Sequence, residues 1–524
     1  MTQRQHTAAR LGLGALAGGI AGTAGILAGQ AAAAVLPGVT GPVLAVGNRA
    51  VDWAPRPLKE FAIETFGDAD KIVLIGGVLV TVGLLILALG AVGTKRPRAA
   101  VIGFSVLIFI ASLAMITDRA ATAGVGLRFV AVLATAVVGI GGFIFLLKAW
   151  APARVAPSND GTSEDPSALS FDRRAFLVAA SAVAAVGAAG GVVSRALGGG
   201  AAAASREAIQ LPAPASPVSA LPDGVTFELD GLTPYLTDNA DFYRVDTALE
   251  VPDVPLEGYV LRIHGMVDNP IELTFEDLLN RDLIERRVTL TCVSNPVGGD
   301  YVGNATWLGV PMKELLAEAD VQDGADAVKS TSADDFTAGT PLSVLTDDRE
   351  AMIAIGMNGE PLPLEHGFPV RMVTPGLYGY VSATKWLVDL EVTRFADFTA
   401  YWTDRGYSAL APIKLSSRID VPRSFAQLNS DDTVVGGVAW AQDEGIDRVE
   451  VRVDEGEWSD AELGVEDNDQ TWRPWRWDWS QPTSGLHRLE VRATDRAGNT
   501  QTSQREPIAP NGSTGWHNVT VTVS

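Results

Sequence analysis

One cysteine, five histidines and 7% aromatic residues stand in a chain of 524. A single thiol, Cys292, excludes an internal disulfide framework, a multi-cysteine zinc site and a CxxCH haem attachment. The histidines are His6, His264, His366, His487 and His517, and none lies in a long apolar run. A membrane haem held by paired histidines is therefore not expected, and electrons must pass to or from a separate partner, a cytochrome or a quinone-linked protein. Cations are also scarce, with 40 Lys and Arg against 62 Asp and Glu and a net charge of -22. That balance excludes a nucleic-acid partner and reads as a device for solubility.

What is abundant, and only in the first 200 residues, is Ala, Gly, Val and Leu. Residues 11–36, 72–93, 99–117 and 127–150 each reach the roughly 20 apolar residues a bilayer helix needs, the first being weakest because Ala and Gly insert poorly. A fifth run, 175–199, follows Arg173 and Arg174, a pair that resembles a twin-arginine export signal. Arg4, Arg10, Lys95, Arg96, Arg98, Arg173 and Arg174 all fall on one side if five helices cross. The expectation is a multi-pass cell-membrane protein, spanning over 1–200, with everything beyond the Ala/Pro/Ser-rich linker 201–224 on the extracytoplasmic side.

The polar part turns on residues 287–310, RVTLTCVSNPVGGDYVGNATWLGV. Val288, Leu290 and Cys292 alternate with Thr289 and Thr291, which predicts a strand with the thiol at its end. Asn295, Pro296, Gly298, Gly299 and Gly303 then form a loop able to bring backbone amides to an anion or cofactor. A buried structural cysteine is the commoner fate of such a thiol. A second window, 358–392, supplies His366, Arg371 and Lys385 among Pro and Gly, a donor set suited to a phosphate-bearing ligand. Short mixed elements over 225–411 predict an α+β domain. Period-two alternation over 412–524, as in RVEVRVDEGEW and HRLEVRATDRAGNTQ, predicts an all-β sandwich, with Trp472, Trp475, Trp477 and Trp479 as packing residues.

Cys292, Asn295, Trp307, Gly309 and Val310 together resemble the molybdenum-ligand segment of the sulfite oxidase family. The string HGFPVRxVxPGxxG, followed by KW, resembles that family's cofactor-binding segment. The resemblance implies molybdenum on one pterin dithiolene, with the Cys292 thiolate as its protein ligand. It further implies a cofactor pocket of Phe242, Tyr243, Arg244, Asn295, Ser332, His366, Arg371, Ser382, Thr384 and Lys385. Tyr407 and Arg244 would face the substrate beside Cys292, and the last domain would be an immunoglobulin-like dimerisation domain, forming a homodimer.

The implied reaction is two-electron oxygen-atom transfer on sulfite or another small oxyanion. Animal sulfite oxidases follow the cysteine with Ala-Gly-Asn-Arg-Arg, whereas this chain reads Val293, Ser294, Asn295, Pro296, Val297, and lacks an arginine at Val297. One extra residue also lies between Gly379 and Lys385. The alternatives are a methionine-sulfoxide or other S- or N-oxide reductase of the same fold, which needs no arginine cluster, and a cofactor-free, membrane-tethered binding module.

Overall fold

The computed structural model describes residues 3–36, 38–55, 70–118, 124–150, 173–197, 200–429 and 433–524. The chain divides into two compact units, Met1–Gly200 with Ala248–Val251, and Ala201–Thr247 with Pro252–Ser524.

The first unit is helical. Leu11–Val35, Val73–Gly93, Pro97–Thr117 and Val125–Lys148 are each long and apolar enough to cross a membrane. The first is the most enclosed of them, and the small residues that weaken its insertion are what enclose it. A Cβ at Gly14 would lie 2.6 Å from the Gly90 carbonyl oxygen, and one at Gly18 2.5 Å from that of Ile86. Close backbone approach through small residues is how helices associate where no water drives them together. On the outside Val80, Leu84, Ile102, Phe109, Leu133 and Val137 are 61% to 67% exposed. An apolar exterior of this kind is compatible with a membrane anchor.

The fifth expected span differs. Arg173–Leu197 forms one helix, and Ala179, Ala180 and Val183 pack into the bundle core. Its described apolar stretch is Leu177–Ala189, and four other helices among the described residues reach the length a span requires by themselves. A short helix, Pro42–Trp53, was not legible as an element.

The second unit holds four sheets. Strands β1 (Leu261–Gly265), β2 (Ile271–Leu273), β3 (Ile284–Thr291), β4 (Val302–Pro311), β5 (Ala327–Ser332), β6 (Thr337–Pro341), β7 (Met352–Met357), β8 (Glu360–Pro361), β9 (Arg371–Val373) and β10 (Leu387–Thr393) alternate with short helices. They form sheets ordered β2-β1-β10-β5-β6 and β3-β4-β7-β8, with β9 added to β7. Leu261, Ile263 and Leu390 from the first sheet share one core with Val310, Ile353 and Met372 from the second. The helix Phe275–Leu279 starts at a capping box between Thr274 and Asp277.

Strands β11 (Ser416–Val421), β12 (Gln427–Leu428), β13 (Thr433–Trp440), β14 (Ile446–Val453), β15 (Ser459–Asp460), β16 (Glu462–Leu463), β17 (Arg473–Trp479), β18 (Gly485–Asp495) and β19 (His517–Val523) make the C-terminal β-rich region. Its two sheets, β11-β13-β17-β16 and β12-β19-β18-β14-β15, enclose Val435, Val451, Trp475, Leu489, Val491 and Val521. Trp472 points elsewhere, packing with Tyr235 and Val302 of the preceding domain.

The Ala/Pro/Ser-rich stretch 201–224 is not a free tether. Ala202 is 1% exposed, Arg206 Nε donates to the Leu362 carbonyl at 2.9 Å, and the Glu285 amide donates to the Ser216 carbonyl at 2.9 Å. Low hydrophobicity hid these contacts, because they are made by backbone groups and one arginine.

Candidate active site

β3 delivers Cys292 to one wall of a cleft that is partly open to solvent. The alternating pattern of β3 predicts one covered face, yet Arg287 to Thr291 are all buried. The strand's free edge is closed by the β-rich region, since the Thr289 amide donates to the Gln470 carbonyl at 3.0 Å and the Trp472 amide to Thr289 Oγ1 at 2.8 Å. Beyond the strand the chain turns tightly, with the Cys292 amide donating to the Tyr301 carbonyl at 2.9 Å. The Ser294 amide reaches Cys292 Sγ at 3.4 Å. Burial pushes the thiol pKa up, while that amide and the charge of Lys385 act against the shift. A thiophilic metal is what would take the proton from a thiol so placed.

The opposite wall is cationic at its base. Arg371, 5% exposed, donates through Nη1 to the His366 carbonyl at 3.0 Å and lies 4.8 Å from the Trp307 ring centre. No acidic side chain among the described residues pairs with it, and burial pushes its pKa down to about 10. Lys385 Nζ lies 2.7 Å from Asp246 and donates to the Glu365 carbonyl at 3.1 Å. Burial lowers its pKa to about 8, with Asp246 opposing. Between the two cations is Gly367, at φ 111, where a Cβ would come within 3.0 Å of the Lys385 Cβ and 3.1 Å of the Arg371 Cβ. His366 is buried and its pKa falls to about 4, so the neutral ring donates from Nε2 to the Asn239 carbonyl at 2.9 Å.

The remaining wall is aromatic. Tyr407 packs edge-on against Tyr380 at 5.6 Å and tilts against Trp402 at 5.3 Å, and all three line the cleft with Phe336. Phe242 and Tyr243 stack at 5.2 Å, Phe242 meeting both Trp307 and His366 edge-on.

Of the residues named from the sequence, Phe242, Tyr243, Cys292, Ser332, His366, Arg371, Lys385 and Tyr407 line this one cleft. Four lie behind its walls. Asn295 Oδ1 accepts from the Tyr301 amide at 3.0 Å, closing the loop after Cys292. Ser382 Oγ donates to the Leu377 and Tyr378 carbonyls, each at 3.0 Å, and Thr384 Oγ1 lies 2.7 Å from Ser330 Oγ. Arg244 Nε lies 2.9 Å from Asp246, and its Nη2 is buried without a partner. Sequence reasoning missed Trp402, Tyr380 and Asp334 as lining residues, because aromatic and acidic residues in loops carry no motif of their own.

A pterin dithiolene with a terminal phosphate and a metal needs a thiolate, anion-binding cations and a roomy cleft. A buried guanidinium with no carboxylate opposite is costly unless an anion joins it. Arg371 and the buried Cys292, both lining the cleft, together fit that group.

Comparison with known proteins agrees with this chemistry. The family described as oxidoreductase molybdopterin binding domain matches residues 248–402. The uncharacterized oxidoreductase YuiH of Bacillus subtilis is 32% identical over 163 residues, 30% of this chain and 79% of that protein. Mitochondrial sulfite oxidase of Homo sapiens is 29% identical over 344 residues, 55% of this chain and 62% of the enzyme. Sulfite oxidase of Arabidopsis thaliana is 26% identical, over 50% of this chain and 82% of that protein. Among solved structures, the sulfane dehydrogenase SoxCD of Paracoccus pantotrophus shares 23% identity at a TM-score of 0.49, covering 56% of this chain and 84% of that one. The chain thus spans less than two thirds of its mitochondrial relatives, and the family match at 248–402 begins beyond the four long apolar helices. The chain belongs to the sulfite oxidase family of molybdopterin-dependent oxidoreductases.

Proposed function

We propose that the protein is a membrane-anchored, extracytoplasmic molybdenum-cofactor enzyme that transfers oxygen to or from a small substrate, and that the substrate is a neutral organic S- or N-oxide in preference to sulfite. The observation that carries the preference is the double pairing of Asp246. Its carboxylate, 4% exposed, takes Arg244 at 2.9 Å and Lys385 at 2.7 Å. Two of the three nearby cations are thereby compensated, and the third, Arg371, is the one fitted to the cofactor's phosphate. A sulfite dianion needs clustered, uncompensated cations. The wall beside Cys292 offers Val293, Tyr380, Trp402 and Tyr407 in their place.

When bound, the cofactor supplies a molybdenum that exchanges two electrons as oxygen is transferred. Cys292 would hold the metal, Arg371 and Lys385 would receive anionic parts of the cofactor, and Phe242 and Tyr243 would exclude water from its flank. Trp402 and Tyr380 orient an apolar substrate by ring contact. The Tyr407 phenol donates a hydrogen bond to the substrate oxygen, favouring the transition state in which that oxygen gains charge.

The outward placement is supported by the Lys and Arg distribution and by the packing of Arg173–Leu197 with the first helix, at Gly187 and Ala24. Ala-rich helices cross when partners receive them, so five crossings remain the reading. Electrons come from a separate cytochrome or quinone-linked protein, and the β-rich region is read as an immunoglobulin-like dimerisation domain. Steady-state turnover separates the substrates. Reduction of an organic sulfoxide or N-oxide by a reduced dye, without oxidation of sulfite by an acceptor, is expected; sulfite oxidation as the faster reaction would overturn the preference.

A further inference from the structure

The β-rich region touches the cofactor wall at more points than a passive appendage needs. The loop after Cys292 is closed from within by the Cys292 amide to the Tyr301 carbonyl and the Asn295 amide to the Cys292 carbonyl at 3.0 Å. From without, Val293 packs with Tyr380 and Tyr407 of the cleft, and the Asn295, Gly298 and Gly299 positions are held by residues from the C-terminal region. Arg418 Nη1 donates to the Gly299 carbonyl at 2.9 Å, Nη2 to Thr233 Oγ1 at 2.9 Å, and Nε to Asp420 at 2.6 Å. All three arms of the guanidinium are thus used, and its side chain is 7% exposed. Ser513 Oγ donates to the Asn295 carbonyl at 2.8 Å. The His517 ring covers Gly298, which stands at φ 81, so closely that a Cβ there would lie 2.0 Å from the ring's Cδ2. His517 itself is fixed by the Ile419 amide, which donates to Nδ1 at 2.9 Å.

We propose that the C-terminal sandwich is a working part of the metal site, with Arg418, Ser513 and His517 as positioning residues that fix the loop 292–301 and, through it, the direction of Cys292 Sγ. The physical reason is that a metal–thiolate bond depends on the torsion about the sulfur, and a Gly-rich loop cannot hold that torsion alone. Three carbonyl or Cα positions, at Asn295, Gly298 and Gly299, are clamped from one side, while Sγ faces the cleft on the other. The consequence for catalysis rests on the reading of Cys292 as the metal ligand; the mechanical claim does not.

The chain's single cysteine makes the test specific. Apo-protein of the full chain, in detergent, is treated with iodoacetamide, and the rate of Cys292 alkylation is followed by mass. Arg418→Lys, which keeps charge but loses the fork, and Ser513→Ala are compared with wild type and with Arg448→Lys, a substitution in the same sandwich whose side chain is half exposed and pairs with Glu450 and Asp460. Alkylation at least tenfold faster in the first two, at unchanged melting temperature, is expected, with Arg448→Lys like wild type. In cofactor-loaded protein the same two variants are expected to shift the Mo(V) paramagnetic signal and lower kcat, leaving KM in place. Wild-type alkylation rates in Arg418→Lys and Ser513→Ala would overturn the proposal. Loss of metal from wild type itself, with accelerated alkylation intact, would strike the metal reading and leave the clamp standing.

Discussion

Asp246 and Lys385 are paired at 2.7 Å within the cleft, Asp246 only 4% and Lys385 10% exposed. The contact joins the segment that begins at Phe242 to the Lys385-Trp386 pair that follows the HGFPVR string, far apart in sequence, and it sets the charge of the site. Asp246→Asn would leave two cations without their carboxylate. Breaking a buried pair from one side costs about 3 kcal/mol, so a lower melting temperature is expected, together with roughly tenfold tighter binding of sulfite or sulfate, the order of one recovered charge pair. Calorimetry on the apo-protein and inhibition by sulfate check both. Unchanged anion binding would remove Asp246 from any role in specificity.

Arg371 offers the opposite sign. It is a buried cation without a carboxylate among the described residues. Arg371→Met should leave the apo-protein as stable as wild type, or more stable by about 1 to 2 kcal/mol, because an uncompensated charge is removed from the interior. Pterin content should fall more than tenfold. A variant that loses stability and keeps its pterin would contradict the assignment of Arg371 to the cofactor's anionic end.

The aromatic wall predicts a division of effects. Tyr407→Phe is expected to lower kcat for an organic oxide by about 10²-fold, the lower end of what a positioned proton donor contributes. Trp402→Ala, which removes ring contact and no proton, is expected to raise KM about tenfold with a smaller change in kcat. Initial-rate kinetics with one sulfoxide decide it.

His517 gives a pH signature. Burial, the largest cause, with Arg418 beside it, drops its pKa from 6.5 to about 4. The unfolded chain takes up its proton near the ordinary value while the folded one resists, so between about pH 6.5 and 4 the unfolded state binds more protons and stability falls as pH falls. The shift corresponds to about 3 kcal/mol at most. His517→Asn, which keeps an acceptor for the Ile419 amide, should flatten the stability curve over that window. Denaturant titrations at pH 7, 5.5 and 4.5 measure it.

Much of the site was legible because its residues fall into two short windows. The strand ending at Cys292 showed as β-branched alternation, and the His366, Arg371 and Lys385 triplet showed as donors among Gly and Pro. Asn295, Ser382 and Thr384 carry the same windows' polarity but spend it behind the walls, the first two on backbone groups and Thr384 on Ser330 Oγ, a distinction spacing cannot make. The aromatic wall was illegible because Tyr380, Trp402 and Tyr407 converge only through tertiary folding. In the helical unit the weak hydropathy of residues 11–36 marks the central helix: its glycines serve packing, and packing is invisible to a hydropathy window. The stretch 201–224 has the composition of a linker, yet it is tied down by a backbone bond from Glu285 to Ser216, which every sequence can make, and by the single side chain of Arg206 on the Leu362 carbonyl.

Whether Cys292 binds molybdenum is the most direct question. Wild type and Cys292→Ser, each purified as the full chain after expression with molybdate, are compared for molybdenum and pterin per chain and for the Mo(V) signal on one-electron reduction. The expected result is close to one molybdenum and one pterin per wild-type chain, and an inactive Cys292→Ser protein whose pterin is retained but whose metal signal has lost its protein-thiolate character. Wild type devoid of both metal and pterin, or Cys292→Ser with an unchanged signal and full turnover, would contradict the assignment of this cleft as a molybdenum site.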